Sequence, residues 1–420
     1  QSRTQRRASN AARIGNFFFV RLSLFHACAL AAKAPSAIPS RNDTDDFLEE
    51  FCVQHEALFQ PLTMGALEAK NRIFMAPLTR GRAAQPMFVP NEMMGTYYKQ
   101  RAGAGLILTE ATGVSTEGLG WPSAPGIWSN EQVEAWKPIV EGVHEAGGLI
   151  AMQLWHMGRI VAPYFLGGER PFSASETKAP GEAHTPEGRQ EYAVARAMTQ
   201  DDINRTIDDY RRAAENAKKA GFDSVQLHGA NGYLVDQFLR DKTNLREDNY
   251  GGSPENRTRF MREVLEAIVD VWGADRVGIR LSPNGDSQGT DDSNPPATFG
   301  AATKVIEEMG LAYLELRQPG PDGTFGQTDV PKQDALLRGL YSGALILNSD
   351  YSAEDADAAV TSGRCDAESF GRPYISNPDL DVRIAAGAHF NPNKDVPKSW
   401  YFPIPQGYID YPTLAEEQAA

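Results

Sequence analysis

The sequence predicts an α/β fold, a (β/α)8 TIM barrel with a lid or hairpin inserted after the third strand. Three observations predict it. From about Phe59 onward, short β-branched or aliphatic runs alternate with longer stretches of helical periodicity, the pattern of repeated βα units around a parallel sheet. Eight such units can be counted. Several of the short runs start straight after a helix-ending glycine, whereas the segments that follow them vary in length and carry the polar residues, as expected where chemistry gathers at the C-terminal ends of barrel strands.

The strands are predicted at Arg72 to Ala76, Gly105 to Thr109, Leu149 to Leu154, Ser224 to Leu227, Val277 to Leu281, Ala312 to Leu316, Ala344 to Leu347 and Ala367 to Phe370. Between the second and third, Ser129 and Gln132 have capping-box spacing ahead of Val133, Trp136, Val140 and Val143, and Gly147 marks the stop. Pro138 argues against an unbroken helix there, because it removes one hydrogen bond and crowds the preceding turn. Thr199 opens a stripe of Ile203, Ile207, Tyr210 and Ala214 that ends at Gly221. Ser253 and Pro254 supply a cap and a first helical position before Phe260, Val264 and Ile268, with the end near Gly273. The stretch from Gly158 to Met198 is rich in Gly, Pro, Ser and Thr and too long for a plain connection, hence the expected lid or hairpin. A doubly wound open sheet is the competing architecture. No GxGxxG follows the first strand, however, and Gly118 and Gly120 are followed by Ser123 where the third glycine belongs.

Composition narrows the function classes. A formal net charge of -14 argues against nucleic acid or an anionic membrane surface as a main partner, since both need clustered cations. No apolar run reaches the length of a spanning helix. The three cysteines, Cys28, Cys52 and Cys365, are far apart and without CxxC spacing, so neither a disulfide framework nor a metal or iron–sulfur cluster is expected, and a reducing compartment fits. Residues 1–57 read as an extension outside the fold. Gln1 to Asn42 is basic without an acidic residue and encloses the apolar stretch Phe17 to Leu30, the mark of a transit or signal segment, or else of a disordered extension. Residues 58–420 read as one barrel domain, cytoplasmic, or in an organelle if the basic segment is a transit peptide.

Polar residues just past the strands should converge on one site. Pro77, Leu78, Thr79 and Arg80 follow the first strand, Gln153 closes the third, His228 and Asn231 follow the fourth, Arg280 closes the fifth, and Gly371 and Arg372 follow the eighth. Gln153 can donate and accept, Thr79 can donate to a carbonyl, and Arg280 can stabilise electron density on a reduced heterocycle. Gly371 and Arg372 suit a phosphate, with Asn377 and Pro378 opening a helix shortly after. Singly, each has a plain structural reading. Arginines are mostly solvated or paired, a glutamine in an apolar run can satisfy a backbone group, and a lone histidine is more often structural than catalytic. Recurrence at successive strand ends favours a site. The sharpest element is HGANGYLVDQFL, His228 to Leu239, in which His228 and Asn231 can present two donors to one carbonyl oxygen and Tyr233 a phenol that releases a proton.

With NRIFMAPLTR, GLILTEATGVSTEG, IAMQLWHMGR, TNLREDNYGGSPENRTRF, SFGRPYISNPDL and GYIDYPTL, that segment resembles the old yellow enzyme family, including the plant oxophytodienoate reductases, from about Leu58 to the C-terminus. The resemblance implies a non-covalently bound FMN, reduced by NADPH, that passes hydride to an α,β-unsaturated carbonyl compound or nitroalkene. It implies that Thr79, beside Pro77 and Leu78, tunes the flavin, that Gln153 and Arg280 hold its pyrimidine edge, and that His228 and Asn231 bind the substrate oxygen while Tyr233 donates the proton. Tyr401 and Trp155 are expected to line the substrate pocket, with Tyr97 or Tyr98. The chain is expected to act as a monomer or homodimer on a small enone.

The sequence departs from the family's pattern in three places. Asn348, Ser349 and Asp350 stand where a glycine-rich turn usually cradles the phosphate. A carboxylate ~4 Å from each unit of phosphate charge costs about 4 kcal/mol at an effective dielectric near 20. That would abolish cofactor binding if Asp350 points inward and be harmless if it points outward. Glu315 replaces a more usual histidine, and Arg317 and Gln318 alter the end of the sixth strand; Ala195 replaces a proline. None of these last changes is expected to touch the chemistry. The alternative function is a flavin-free, non-catalytic barrel that binds small molecules, to which Asp350 points.

Overall fold

The computed structural model describes residues 54–319, 330–393 and 398–420. Eight parallel strands form its centre: β1 (Ile73–Met75), β2 (Ile107–Leu108), β3 (Ile150–Trp155), β4 (Ser224–Gly229), β5 (Val277–Leu281), β6 (Tyr313–Arg317), β7 (Ala344–Ser349) and β8 (Ala367–Phe370). Each pairs in parallel with its sequence neighbours, and β8 returns to β1 with Ser369 beside Phe74, so the sheet is a closed barrel. Closure leaves no strand edge unpaired. The β2 strand is short and is continued by Thr112–Gly113, which pairs with the end of β3.

The helices between the strands follow the signals in the chain. Ser129 caps α1 (Asn130–Glu145) in a capping box with Gln132, and the helix runs through Pro138 instead of stopping there. Thr199 makes the same box with Asp202 at the start of α2 (Gln200–Ala220), and Gly221 ends it in a left-handed conformation. The third predicted helix is divided: Ser253 caps a single turn, Pro254–Arg257, and the main body α3 (Arg259–Trp272) follows Thr258. Along these helices Val133, Trp136, Val140, Ile203, Tyr210, Phe260, Val264 and Ile268 are buried in one continuous shell around the barrel. Burying each such side chain contributes about 1.5–3 kcal/mol.

One element was not anticipated. A hairpin, Leu62–Met64 against Leu67–Ala69, precedes β1 and buries Met64, Leu67 and Ala69 with the inward side chains Phe74, Leu108, Tyr313 and Ile346. Its tip is tied down by Ala66 N–H donating to Asp275 O at 2.9 Å, just before β5. It therefore plugs the N-terminal end of the barrel. The insertion after β3 holds the expected hairpin, Glu182–Thr185 against Gly188–Glu191, and a parallel pairing of Phe172–Ser173 with Arg196–Ala197. No helix among the described residues is long and apolar enough to cross a membrane. The basic segment Gln1 to Asn42 and Cys28 and Cys52 lie outside the described residues.

Candidate active site

The C-terminal end of the barrel gathers the predicted residues. A polar layer crosses its interior: Gln153 on β3 donates to Gln226 on β4 (2.7 Å), Gln226 to Glu315 on β6 (2.8 Å), and Ser369 on β8 to the same carboxylate (2.6 Å). Arg280 stands in register with both His228 and Glu315 and donates to the Asn348 side-chain oxygen, whose own amide donates to Ser369 O at 2.6 Å. Arg280 and Asn348 thus meet across β6, while Gln153 enters the layer from β3 through Gln226.

Above this layer lies the fourth-strand segment. His228 packs against Tyr233 with ring centroids 5.0 Å apart, and the Trp155 ring meets Tyr233 edge-on at 4.9 Å. The Ala230 N–H donates to His228 Nδ1 at 3.3 Å, which places the imidazole proton on Nε2 and makes that atom a donor. Burial first, then the nearby cations Arg280 and Arg317, holds the histidine pKa well below its ordinary value, so the ring is neutral at pH 7. Burial likewise raises the Tyr233 phenol, with a Gln288 hydrogen bond opposing, so it keeps its proton at every working pH.

The loop that carries these residues is locked. The Asp236 and Arg240 side chains, fully buried, pair at 2.7 Å; Asp236 also accepts from Gly232 N–H (2.9 Å), while Arg240 donates to Gly285 O (3.1 Å) and Ser282 O after β5. Gln237 accepts from Arg159 N–H (3.1 Å) and Ser173 Oγ (2.8 Å) of the insertion. Gly232, at φ 78°, has room for no side chain, since a Cβ there would lie 2.4 Å from Ser287 O.

Pro77, Leu78 and Thr79 run past β1 half-buried, held on one side by Ala76 N–H to Phe370 O (3.0 Å) and on the other by Arg80 and Gly81 N–H to the Glu110 carboxylate (each 3.1 Å). Burial pushes Glu110 up to about 6. The Arg80 guanidinium anchors the C-terminal segment through Trp400 O (3.1 Å) and Gly407 O (2.9 Å), which brings the Tyr401 ring to 5.4 Å from Trp121. Tyr97 and Tyr98 do not line the cleft. Both are fully buried behind it, Tyr97 stacked on Tyr408 at 4.1 Å and Tyr98 accepting from Glu110 N–H at 3.0 Å.

At the β7 and β8 ends, Asp350 is paired with Arg372 (Nε to Oδ1 3.1 Å), so the departure from the family pattern sits on the cation expected to take the phosphate. The helix beside it begins at Arg372 itself, Arg372–Ser376, with Asn377 as its C-cap; a second, Leu380–Ala385, follows Pro378.

The donor set fits a flavin at the ring end. An amide, a buried guanidinium whose Nε has no hydrogen-bond partner among the described residues, and the half-buried Pro77–Thr79 backbone suit an oxidised or anionic pyrimidine edge. At the phosphate end the Ser349 hydroxyl is buried without a hydrogen-bond partner among the described residues, and Arg372 is available by exchange. Its pair with Asp350 is about a third exposed, a class worth roughly 0–1 kcal/mol, which a dianion can displace.

Two departures expected to be remote from the chemistry touch residues assigned to the candidate site. Glu315 Oε2 stands 3.7 Å from Arg280 Nε, and Arg317 Nη1 donates to Asn231 Oδ1 at 2.6 Å. Strand alternation was the available signal, since residues 315 and 317 share a face of β6. Of the other residues missed in the sequence, Arg159, Gln237 and Gln288 act across loops far apart in the chain and leave no local signature, whereas Asp236 and Arg240 stand four residues apart, the spacing of a local ion pair.

Residues 57–391 match the model of the NADH:flavin oxidoreductase / NADH oxidase family. The old yellow enzyme homologue from Zymomonas mobilis is 53% identical, superposes with a TM-score of 0.82 and is covered over 99% of its length by 84% of this chain. Morphinone reductase in complex with tetrahydroNAD is 41% identical, with a TM-score of 0.79 over 85% of this chain and 97% of its own. The 12-oxophytodienoate reductase 1 of Oryza sativa subsp. japonica is 39% identical over 364 residues, 86% of this chain and 93% of that relative. The chain is therefore a flavin oxidoreductase belonging to the NADH:flavin oxidoreductase / NADH oxidase family, the family of old yellow enzyme.

Proposed function

We propose that the protein is an FMN-dependent, NADPH-driven ene-reductase that saturates the activated C=C bond of enones and, by the same chemistry, of nitroalkenes. The observation that carries this reading is the convergence of a neutral His228 with its Nδ1 engaged, Asn231, and a protonated Tyr233 on one side of the polar layer. Thr79, Gln153 and Arg280 would hold the ring of an FMN and Gly371 and Arg372 its phosphate, and the bound flavin would supply the hydride. His228 Nε2–H and Asn231 donate to the substrate oxygen and stabilise the enolate-like charge that builds as the β-carbon is reduced. Tyr233 then gives its phenolic proton to the α-carbon, so one hydride and one proton are added across the double bond. Trp155 and Tyr401 border the space, and water regains access to the phenol to restore its proton.

The experiment is a visible spectrum of the FMN-loaded protein, with anaerobic NADPH and then 2-cyclohexenone added. Bleaching by NADPH and recovery with the enone is the expected result; a parallel run with NADH tests the choice of donor. Asp350 on Arg372 favours one other reading, a flavin-free barrel that binds small molecules without turnover. A folded protein that takes up no FMN would establish that reading instead.

A further inference from the structure

Asn231 is held at every polar atom but one. Its backbone is left-handed, at φ 61°, a conformation that asparagine tolerates better than most residues. Its N–H donates to Ser282 Oγ at 2.8 Å, its carbonyl accepts from Gln288 Nε2 at 2.9 Å, and its side-chain oxygen accepts from Arg317 Nη1 at 2.6 Å. The side-chain nitrogen has no acceptor among the described residues. A guanidinium has donors and no acceptor, so the amide atom that meets Arg317 must be the oxygen.

The position matters because the two ends of an amide are nearly the same shape and opposite in hydrogen-bonding sense. Turned one way, Asn231 donates to a substrate carbonyl; turned the other, it sets oxygen against oxygen. Arg317 is also costly to place. It lies mostly buried beside a second cation, Arg280, and the two together push its pKa down to about 9. The fields of Asp350 and Asp236 oppose that shift.

We propose that Arg317 is a positioning residue for the reduction: by holding the Asn231 side-chain oxygen it leaves the NH2 group as the partner of His228 in binding the substrate oxygen. The inference rests on the ene-reductase reading above. It assigns a role to the side chain at the end of β6 that neither the family match nor the relatives' names supply.

The test uses the FMN-loaded protein, 2-cyclohexenone and NADPH, with R317M, R317K, R317Q, N231A and the double variant N231A/R317M. R317M should raise the enone KM about tenfold, the scale of one lost hydrogen bond, with kcat within about threefold and bleaching by NADPH unchanged. R317K and R317Q, which keep a donor, should stay within about threefold of the wild-type KM. R317M added to N231A should raise KM no further than N231A alone, since the interaction it removes is already gone. An unchanged KM in R317M overturns the inference while leaving the ene-reductase reading intact. So does full additivity in the double variant, which would mean that Arg317 acts on substrate or flavin directly. If R317M fails to take up FMN, the R317K and R317Q pair decides: a tenfold KM rise in R317Q alone assigns the effect to charge and overturns the inference. A wild-type protein that binds FMN and bleaches with NADPH but never reduces the enone removes the functional reading, and this inference with it.

Discussion

Two ion pairs at the C-terminal rim of one barrel are built in opposite ways. Asp236 and Arg240 are both 0% exposed, and their remaining atoms are taken by Gly232 N–H, Ser282 O and Gly285 O, so the pair fastens the loop after β4 to the loop after β5. Asp350 and Arg372 are 30% and 34% exposed and hold only the ends of β7 and β8. The first is a fixture that aims His228, Asn231 and Tyr233. The second is a contact that an anionic ligand can replace. The side of the site proposed to place hydrogens on particular atoms is locked by groups out of water, whereas the side proposed to bind a phosphate is left wet.

The widest consequence is in stability. Asp236→Ala leaves Arg240 charged, buried and short of a partner, and should lower the unfolding free energy by about 3–5 kcal/mol. Asp350→Ala should change it by less than about 1 kcal/mol. Denaturant unfolding of the two variants side by side checks the contrast, and equal losses would erase it. Next is catalysis on the locked side. Tyr233→Phe should slow reoxidation of the reduced protein by 2-cyclohexenone about 10²-fold or more, leaving reduction by NADPH within a few-fold. Stopped-flow traces of the two half-reactions separate these, and an unaffected enone step would remove Tyr233 as the proton donor.

The same contrast marks what could be read from the chain. Strands β5 and β8 fall on the residues predicted, Val277–Leu281 and Ala367–Phe370, and the other six within two residues at either end. Branched aliphatic runs and glycine stops are local signals. Ser129, Thr199 and Ser253 are local caps of the same kind. The hairpin before β1 escaped because three-residue strands carry too little alternation to register. Its Gly65 turn gains meaning only against Asp275, far along the chain. Gln237 and Gln288 escaped for the same reason, because their partners lie on other loops, whereas Asp236 and Arg240, four residues apart, were a local signal passed over. Arg317 was legible too: it shares the inward face of β6 with Glu315, although the spacing alone offered no reason to expect it to touch the chemistry. The Asp350 question could not be settled by spacing either, since the direction of a turn side chain depends on where Arg372 arrives from β8.

On the wet side the expected effect is smaller. Asp350→Asn removes a charge beside the proposed phosphate site while keeping the side chain's shape, and should tighten FMN binding about tenfold, roughly 1.4 kcal/mol. Riboflavin, which lacks the phosphate, should bind both proteins alike. Fluorescence titration of the apoprotein with each ligand reads both numbers. Tightening for riboflavin as well would mean that Asp350 acts on the fold of the turn instead of on the phosphate.

The smallest expected effect is none at all. The histidine and the phenol on the locked side have pKa values moved apart, His228 well below its ordinary value and Tyr233 above its own, so neither titrates between pH 6.5 and 9. The rate at which the enone reoxidises the reduced protein should therefore be flat across that interval; an inflection near 6.5 would mean that the imidazole titrates and is not held neutral. The cost appears in folding instead. A histidine whose folded pKa lies below its unfolded value of about 6.5 stabilises the fold fully only above that pH, and the contribution is lost as pH falls. His228→Asn, which cannot titrate, should accordingly lose less stability than the wild type on going from pH 7 to pH 5. Equal losses would show that the imidazole accepts a proton in place, and with it the claim that Ala230 and burial hold it as a neutral donor would fail.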